Sequence, residues 1–343
     1  MRLGLTAFAL LAPGACAHAP VPVPAPAVAA PEAAAPAEPT TPASVVAAAP
    51  ASAWKPIDPA DLLVMDLVPD AAGKPRRVII QLMPPPFSQG WTQNIRTLAK
   101  AHWWDGTSVY RVVDNWVAQW GVVDETKPLP EGVSERPKSE YSIPVPADLT
   151  AHIRKLGSEF GPPSGPGDLD SLPDGYFQLR SDSYAAMALH YRGWPVAIGA
   201  RDNQAWPTHC YGTVGVARSV GSGGTGSELY AVIGHAPRQL DRNIGVAGRV
   251  IEGIEHLSVL PRGTGDAGVY ETAEERVPIV SVRLGNEVAE LPQPAFEYLD
   301  TASEAFAEYV RIRANRHDSF YLHPAGGVDV CNIQVPIRRV MSE

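Results

Sequence analysis

The chain has 343 residues, 45% hydrophobic and 19% charged, with a formal net charge of −9. That length allows one large domain or two smaller ones with a sizeable core. A negative balance without any basic cluster excludes nucleic acid as an expected partner and leaves peptides and small molecules.

Residues 1–19 have the parts of a secretory signal peptide: Arg2 as the positive end, Leu3 to Ala12 as the apolar stretch, and Ala15-Cys16-Ala17 as a small-residue cleavage site. The apolar stretch is too short to span a bilayer. The expectation is an exported, periplasmic protein. The alternative makes Cys16 a lipid anchor in the cell envelope, which Gly14-Ala15-Cys16 suits and Pro13 does not. Residues 20–58 read as a disordered Pro/Ala-rich tether, with nine prolines and no glycine between Pro20 and Pro50.

Next in the chain, 61–68 and 76–82 read as strands joined by a turn. Ser88 can cap a helix over 88–101, whose Trp91, Ile95 and Leu98 share a face. A hairpin over 108–121 turns at Asp114-Asn115-Trp116. The stretch 122–208, rich in Pro, Gly, Ser and charge, reads as an insertion with some structure, including a helix over 181–191. Strand patterns return at 211–218, 229–233, 246–250 and 279–284, with a short helix over 252–260. Residues 286–343 form an α/β extension, in which Phe296, Leu299, Phe306 and Val310 recur at helical spacing over 294–313. Many strands, few helices and no βαβ rhythm point to a mostly β fold, a closed barrel capped by helices.

Chemistry follows partly by exclusion. No Cys-x-x-Cys, His-x-x-x-His or His-Glu-x-x-His pattern occurs, so no metal is expected. The glycine-rich run 221–226 lacks a Gly-Lys-Ser/Thr ending and precedes a strand, which suits a backbone brought close to a peptide better than a phosphate loop. There is no Gly-x-Ser-x-Gly elbow. Cys210 and Cys331 can pair in an oxidising compartment or remain two buried thiols. In the hairpin, a three-residue loop would face Arg111 to Gln119 on one side of the sheet. A two-residue loop would oppose Arg111 to Ala118 and separate the polar pair.

The stretch "NIRTLAKAHWWDGTSVYRVVDNWVAQWG" (94–121) resembles the cyclophilin signature, in which a helix with Asn-Phe-x-x-Leu leads to Tyr-Asp-Gly-Thr-x-Phe-His-Arg-Val and then Phe-Met-x-Gln-Gly-Gly-Asp. "YGTVGVAR" (211–218), "GTGSELYAVI" (224–233) and "LDRNIGVAGRVIEGIE" (240–255) resemble the family's later blocks in the same order. The resemblance covers roughly 60–121 and 209–285, so the cyclophilin-like domain is taken as 59–285 with the insertion 122–208. It implies an eight-stranded barrel and a cofactor-free peptidyl-prolyl cis-trans isomerase acting on proline-containing peptides and unfolded protein clients.

Position by position, the resemblance implies Arg111 as the catalytic arginine and Gln119 as the glutamine that orients substrate. It implies substrate contacts from Trp116, Val117, Tyr230 and Leu240, with Glu228 at the position of a nearby Gln, Arg218 where some members have Asn, and Ile244 where many have His. Gln239 stands for a family Trp, and Trp120 for the first Gly after the glutamine. Those departures leave a second expectation, a proline-peptide binding or chaperone-like module with weak turnover. A third is an envelope lipoprotein that keeps the barrel as scaffold.

Overall fold

The computed structural model of the chain describes residues 40–123, 127–160, 182–199, 201–289 and 294–340. The expected signal segment, Cys16, the expected tether up to residue 39 and part of the insertion lie outside the described residues. Helix α1 (Pro42–Ala48) and strand β1 (Trp54–Ile57) come first, then β2 (Leu62–Leu67), β3 (Arg76–Leu82), α2 (Gln89–Lys100), β4 (Ser108–Val112) and β5 (Val117–Gly121). The inserted stretch carries β6 (Ile143–Pro144), α3 (Ala147–Phe160), β7 (Met187–Tyr191), β8 (Trp194–Ile198) and β9 (Gln204–Pro207). Then follow β10 (Thr213–Val216), β11 (Leu229–Val232), β12 (Val246–Glu252), α4 (Glu255–Ser258) and β13 (Val277–Leu284), and finally β14 (Phe296–Leu299), α5 (Glu304–Ala314) and β15 (Ile337–Arg339).

Eight strands close a barrel in the order β10-β11-β5-β4-β13-β2-β3-β12, with antiparallel neighbours throughout. Alternation along these strands sends Leu63, Met65, Ile80, Trp120, Leu229 and Val282 into one buried cluster with Trp104. Trp120 is 1% exposed there. Burying a side chain of that size stabilises by about 2–3 kcal/mol. Helix α2 covers this core with Trp91, Ile95 and Leu98. Ser88 does not cap it: the residue is left-handed with no side-chain hydrogen bond, and Gln89 instead ties the helix start to the carbonyls of Met83 and Phe87.

The composition-based tether ends too late. Residues 42–57, assigned to it by their proline and alanine content, are ordered because apolar partners exist far along the chain. Thr41 and Ser44 form a capping box on α1, whose Val45 packs with Phe306 and Val310 of α5. Strand β1 pairs with β14, and β14 with β15. The stretch 294–313 is not one helix. Phe296 and Leu299 lie in β14, and Ser303 starts α5 by accepting from the Phe306 amide. This small sheet leans on the barrel through Ile57, Leu62, Ile79 and Phe296.

The insertion folds as a sheet ordered β6-β9-β8-β7. Its expected helix over 181–191 is corrected at its C-terminal end, since β7 pairs Tyr191 with Trp194 across a tight Arg192-Gly193 turn. Both turn residues have positive φ, 50° and 83°, which glycine accepts without strain. Leu149 of α3 and Leu189, Val196 and Ala205 of the sheet pack with Met83, Phe87 and Val246 of the barrel. Cys210 and Cys331 form a disulfide that fastens the extension to the connection between β9 and β10, closing a loop of sequence separation 121. Such a bond stabilises by roughly 4 kcal/mol in the chain-entropy account.

Candidate active site

The β4–β5 hairpin turns through three residues, and Arg111 opposes Gln119 while Val113 N–H donates to the Val117 carbonyl at 2.8 Å. The ladder slips between Val109 and Arg111. This bulge leaves Tyr110 unpaired beside Arg111, so that both side chains reach the same face. Sequence parity alone would have sent them to opposite sides.

Arg111 Nη1 donates to Gln119 Oε1 at 3.0 Å and its Nε to the Ala267 carbonyl at 2.8 Å, while its guanidinium lies 5.2 Å from the Trp116 ring centroid. Burial lowers its pKa from the usual value. Gln119 Nε2 donates in turn to the Tyr110 hydroxyl. That hydroxyl donates to Glu228 Oε2 at 2.7 Å, and Glu228 Oε1 accepts the Val122 amide at 2.6 Å. Burial first, and the Glu228 charge second, raise the Tyr110 pKa, so the phenol stays protonated and donating. Both ends of the Gln119 amide are thus engaged in holding Arg111.

Below this polar edge lies an apolar cup. Val117 and Tyr230 are buried with Val232, and Trp116, Ala217, Leu240 and Ile244 pack against them. The Tyr230 ring can approach β10 closely because position 215 is glycine: a Cβ there would sit 2.3 Å from the phenol. Tyr230 OH is 2.9 Å from His209 Nε2, and His209 Nδ1 is 3.0 Å from Asp241 Oδ1. Arg238 then joins Asp241 at 2.6 Å and Asp182 at 2.8 Å, all buried. A charged chain therefore stands behind the cup floor.

All nine residues expected at the site, Arg111, Gln119, Trp116, Val117, Arg218, Glu228, Tyr230, Leu240 and Ile244, line one cleft of about 490 Å³. Arg218 stands at its rim, its guanidinium donating to the Asn243 and Ser219 carbonyls. Trp120 is not at the site. Its strand parity is opposite to that of Gln119, which places it in the barrel interior.

From the insertion, Val122, Lys127 and Leu129 line the cleft, and none of its β-sheet does. Ser222, Gly224 and Thr225 of the glycine-rich run line the cleft as well, and the run is held in place there: the Gly223 and Gly224 carbonyls accept from Trp91 Nε1, and Gly223 N–H donates to Glu135. Tyr110, Ala267, His209 and Asp241 were missed by sequence reasoning. Ala267 acts through its backbone and leaves no signal; a His–Asp pair separated by 32 positions leaves almost none.

A family model described as cyclophilin type peptidyl-prolyl cis-trans isomerase/CLD matches residues 90–284. No curated protein matches the chain. Among solved structures, cyclophilin AquaCyp293 from Hirschia baltica is similar with a TM-score of 0.55 and 18% identity, covering 84% of this chain and 94% of that one. A Cryptosporidium parvum cyclophilin type peptidyl-prolyl cis-trans isomerase gives a TM-score of 0.32 and 11% identity, over 65% and 97% of the two chains. With the family match spanning more than half of the sequence, the protein belongs to the cyclophilin-type peptidyl-prolyl cis-trans isomerases, enzymes that turn the peptide bond before proline.

Proposed function

We propose that the cleft isomerises Xaa–Pro bonds in exported, incompletely folded proteins, with Arg111 as the catalytic group and Gln119 as its positioner. The observation that carries this reading is the Arg111–Gln119 pair at 3.0 Å on the edge of the Trp116–Val117–Tyr230 cup. Rotation about the prolyl bond costs about 18–20 kcal/mol because amide resonance is lost. In the twisted state the prolyl nitrogen regains a lone pair and accepts a hydrogen bond. A fixed guanidinium offers that donor without any proton transfer, and a preorganised donor in a partly dry site contributes a few kcal/mol.

Two of the Arg111 nitrogens, Nε and Nη1, are used by Ala267 and Gln119, which leaves Nη2 for the substrate. The cup grips the proline ring, so the preceding residue turns against a held partner. Tyr230, Leu240, Ile244, Val117 and Trp116 supply its walls, while Arg218 and Glu228 set the charge at either rim. The disulfide between Cys210 and Cys331 favours an oxidising compartment, hence export and the periplasm. The reading with little turnover loses one of its supports, since the bulky Trp120 fills the core rather than the cleft. The test is a protease-coupled proline-peptide assay of the wild type against Arg111→Ala. A fall of at least about tenfold with unchanged far-UV dichroism is expected; equal rates would refute the assignment.

A further inference from the structure

A second cleft, of about 910 Å³, opens where α1 and β15 approach β8 and β12, and it shares no residue with the isomerase cleft. Four arginines line it, Arg249, Arg313, Arg316 and Arg338, and no Asp or Glu does, although the chain carries a net charge of −9. Arg316 is paired with Asp318, and Arg338 with Glu297 at 2.5 Å. Among the described residues, Arg249 and Arg313 have no carboxylate partner.

Arg249 is the more unusual of the two. Its Nε and Nη2 donate to Gln81 Oε1 at 3.0 and 2.8 Å, its Nη1 to the Gly193 carbonyl at 2.7 Å, and its plane lies 4.3 Å from the Trp194 ring centroid. Every partner is neutral, so the charge is held without compensation. Burial lowers its pKa to about 9, which still leaves it cationic at neutral pH. Trp54, another lining residue, carries a buried donor that is unanswered. The residue is 6% exposed, and its Nε1 has no acceptor. Buried donors without acceptors are uncommon and costly, about 1–3 kcal/mol each. The remaining wall is apolar, including Val46, Val250, Ile251 and Ile337.

We propose that this cleft binds a single-headed anionic amphiphile, its carboxylate or phosphate head taken by Arg249 and Arg313 and its apolar body lying along Val46, Val250, Ile251 and Ile337. Its volume is that of a small-molecule site, roughly 300–1,000 Å³. An anionic head compensates the two guanidinium charges that no carboxylate answers, and an apolar tail matches the wall beside them. A free amphiphile and a bilayer lipid present the same chemistry; the lining on several sides favours the free molecule.

The full chain is titrated with decanoate below its micellar concentration, with decanol and with inorganic phosphate, following tryptophan fluorescence and melting temperature. Saturable binding of decanoate with a raised Tm is expected. Decanol and phosphate should each bind at least about tenfold more weakly. Arg313→Gln should weaken decanoate at least about fivefold while leaving isomerase activity unchanged; Arg249→Gln should do the same if it folds. Decanol binding as tightly as decanoate, or undiminished binding by Arg313→Gln, would overturn the proposal. Sedimentation with phosphatidylglycerol vesicles is expected to be absent. Vesicle binding lost in Arg313→Gln, without any decanoate binding, would replace the proposal with a bilayer contact.

Discussion

Arg111 and Gln119 are locked face to face across β4 and β5, Nη1 donating to Oε1 at 3.0 Å, while the Ala267 carbonyl takes Nε at 2.8 Å. Two acceptors spaced to suit a planar fork select arginine over lysine. Arg111→Lys keeps the charge but loses the second hold and the free Nη2. Its kcat/KM should fall at least about tenfold, a loss of ~1.4 kcal/mol at the transition state, with dichroism unchanged. Recovery of more than half the wild-type rate would mean that charge alone suffices.

Tyr110→Phe cuts the link between Gln119 and Glu228 while Glu228 keeps the Val122 amide. A single neutral hydrogen bond is worth about 1 kcal/mol net. The expected result is a roughly fivefold lower kcat with little change in KM, because Arg111 loses orientation rather than substrate contact. A raised KM at constant kcat would instead make Tyr110 a substrate contact.

The chain behind the cup floor carries a stability prediction. Arg238→Met leaves Asp182 and Asp241 as buried carboxylates with side chains only 6% and 5% exposed. Removing one member of a buried charge cluster costs roughly 3–5 kcal/mol, on the order of a 10 °C fall in Tm for a domain of this size. Little change in Tm would show that the cluster relaxes towards water.

His190 makes the junction of insertion and extension acid-sensitive. Burial lowers its pKa to about 4, and its ring, 1% exposed, places Nε2 3.0 Å from the Ile333 carbonyl. The unfolded chain binds a proton near 6.5 and the folded one only near 4. Stability is therefore complete above about pH 6.5, falls as pH drops towards 4, and loses about 3 kcal/mol across that window. Urea unfolding at pH 7.5 and pH 5 should display the drop, and His190→Gln should remove most of it. An equal drop in the variant would assign the effect to carboxylates.

The barrel strands and the site hairpin were legible because each carries its own evidence: alternating β-branched residues, and an Asp-Asn turn whose three-residue reading sets Arg111 opposite Gln119. The parts misread depend on distant partners. Nothing in "PASVVAA" announces that Val45 will meet Phe306, and Met187 to Tyr191 has the apolar content of either a helix or a strand until the Arg192-Gly193 turn is weighed. Tyr110 escaped for a finer reason. A one-residue bulge reverses parity, and no local pattern marks it.

The pairing of β1 with β14 sets Trp54 opposite Leu299 and Ile57 opposite Phe296. During synthesis, which runs at about 5–20 residues per second, the first of these strands waits unpaired for roughly ten seconds or more until its partner emerges. The eight barrel strands end at Leu284, so they can close while β1 still has an open edge. An open edge is a template for other chains. A ribosome stalled, or a chain truncated, between Leu284 and Phe296 would therefore leave a finished barrel trailing a strand that seeks a partner. Such a species should aggregate through its N-terminal strand.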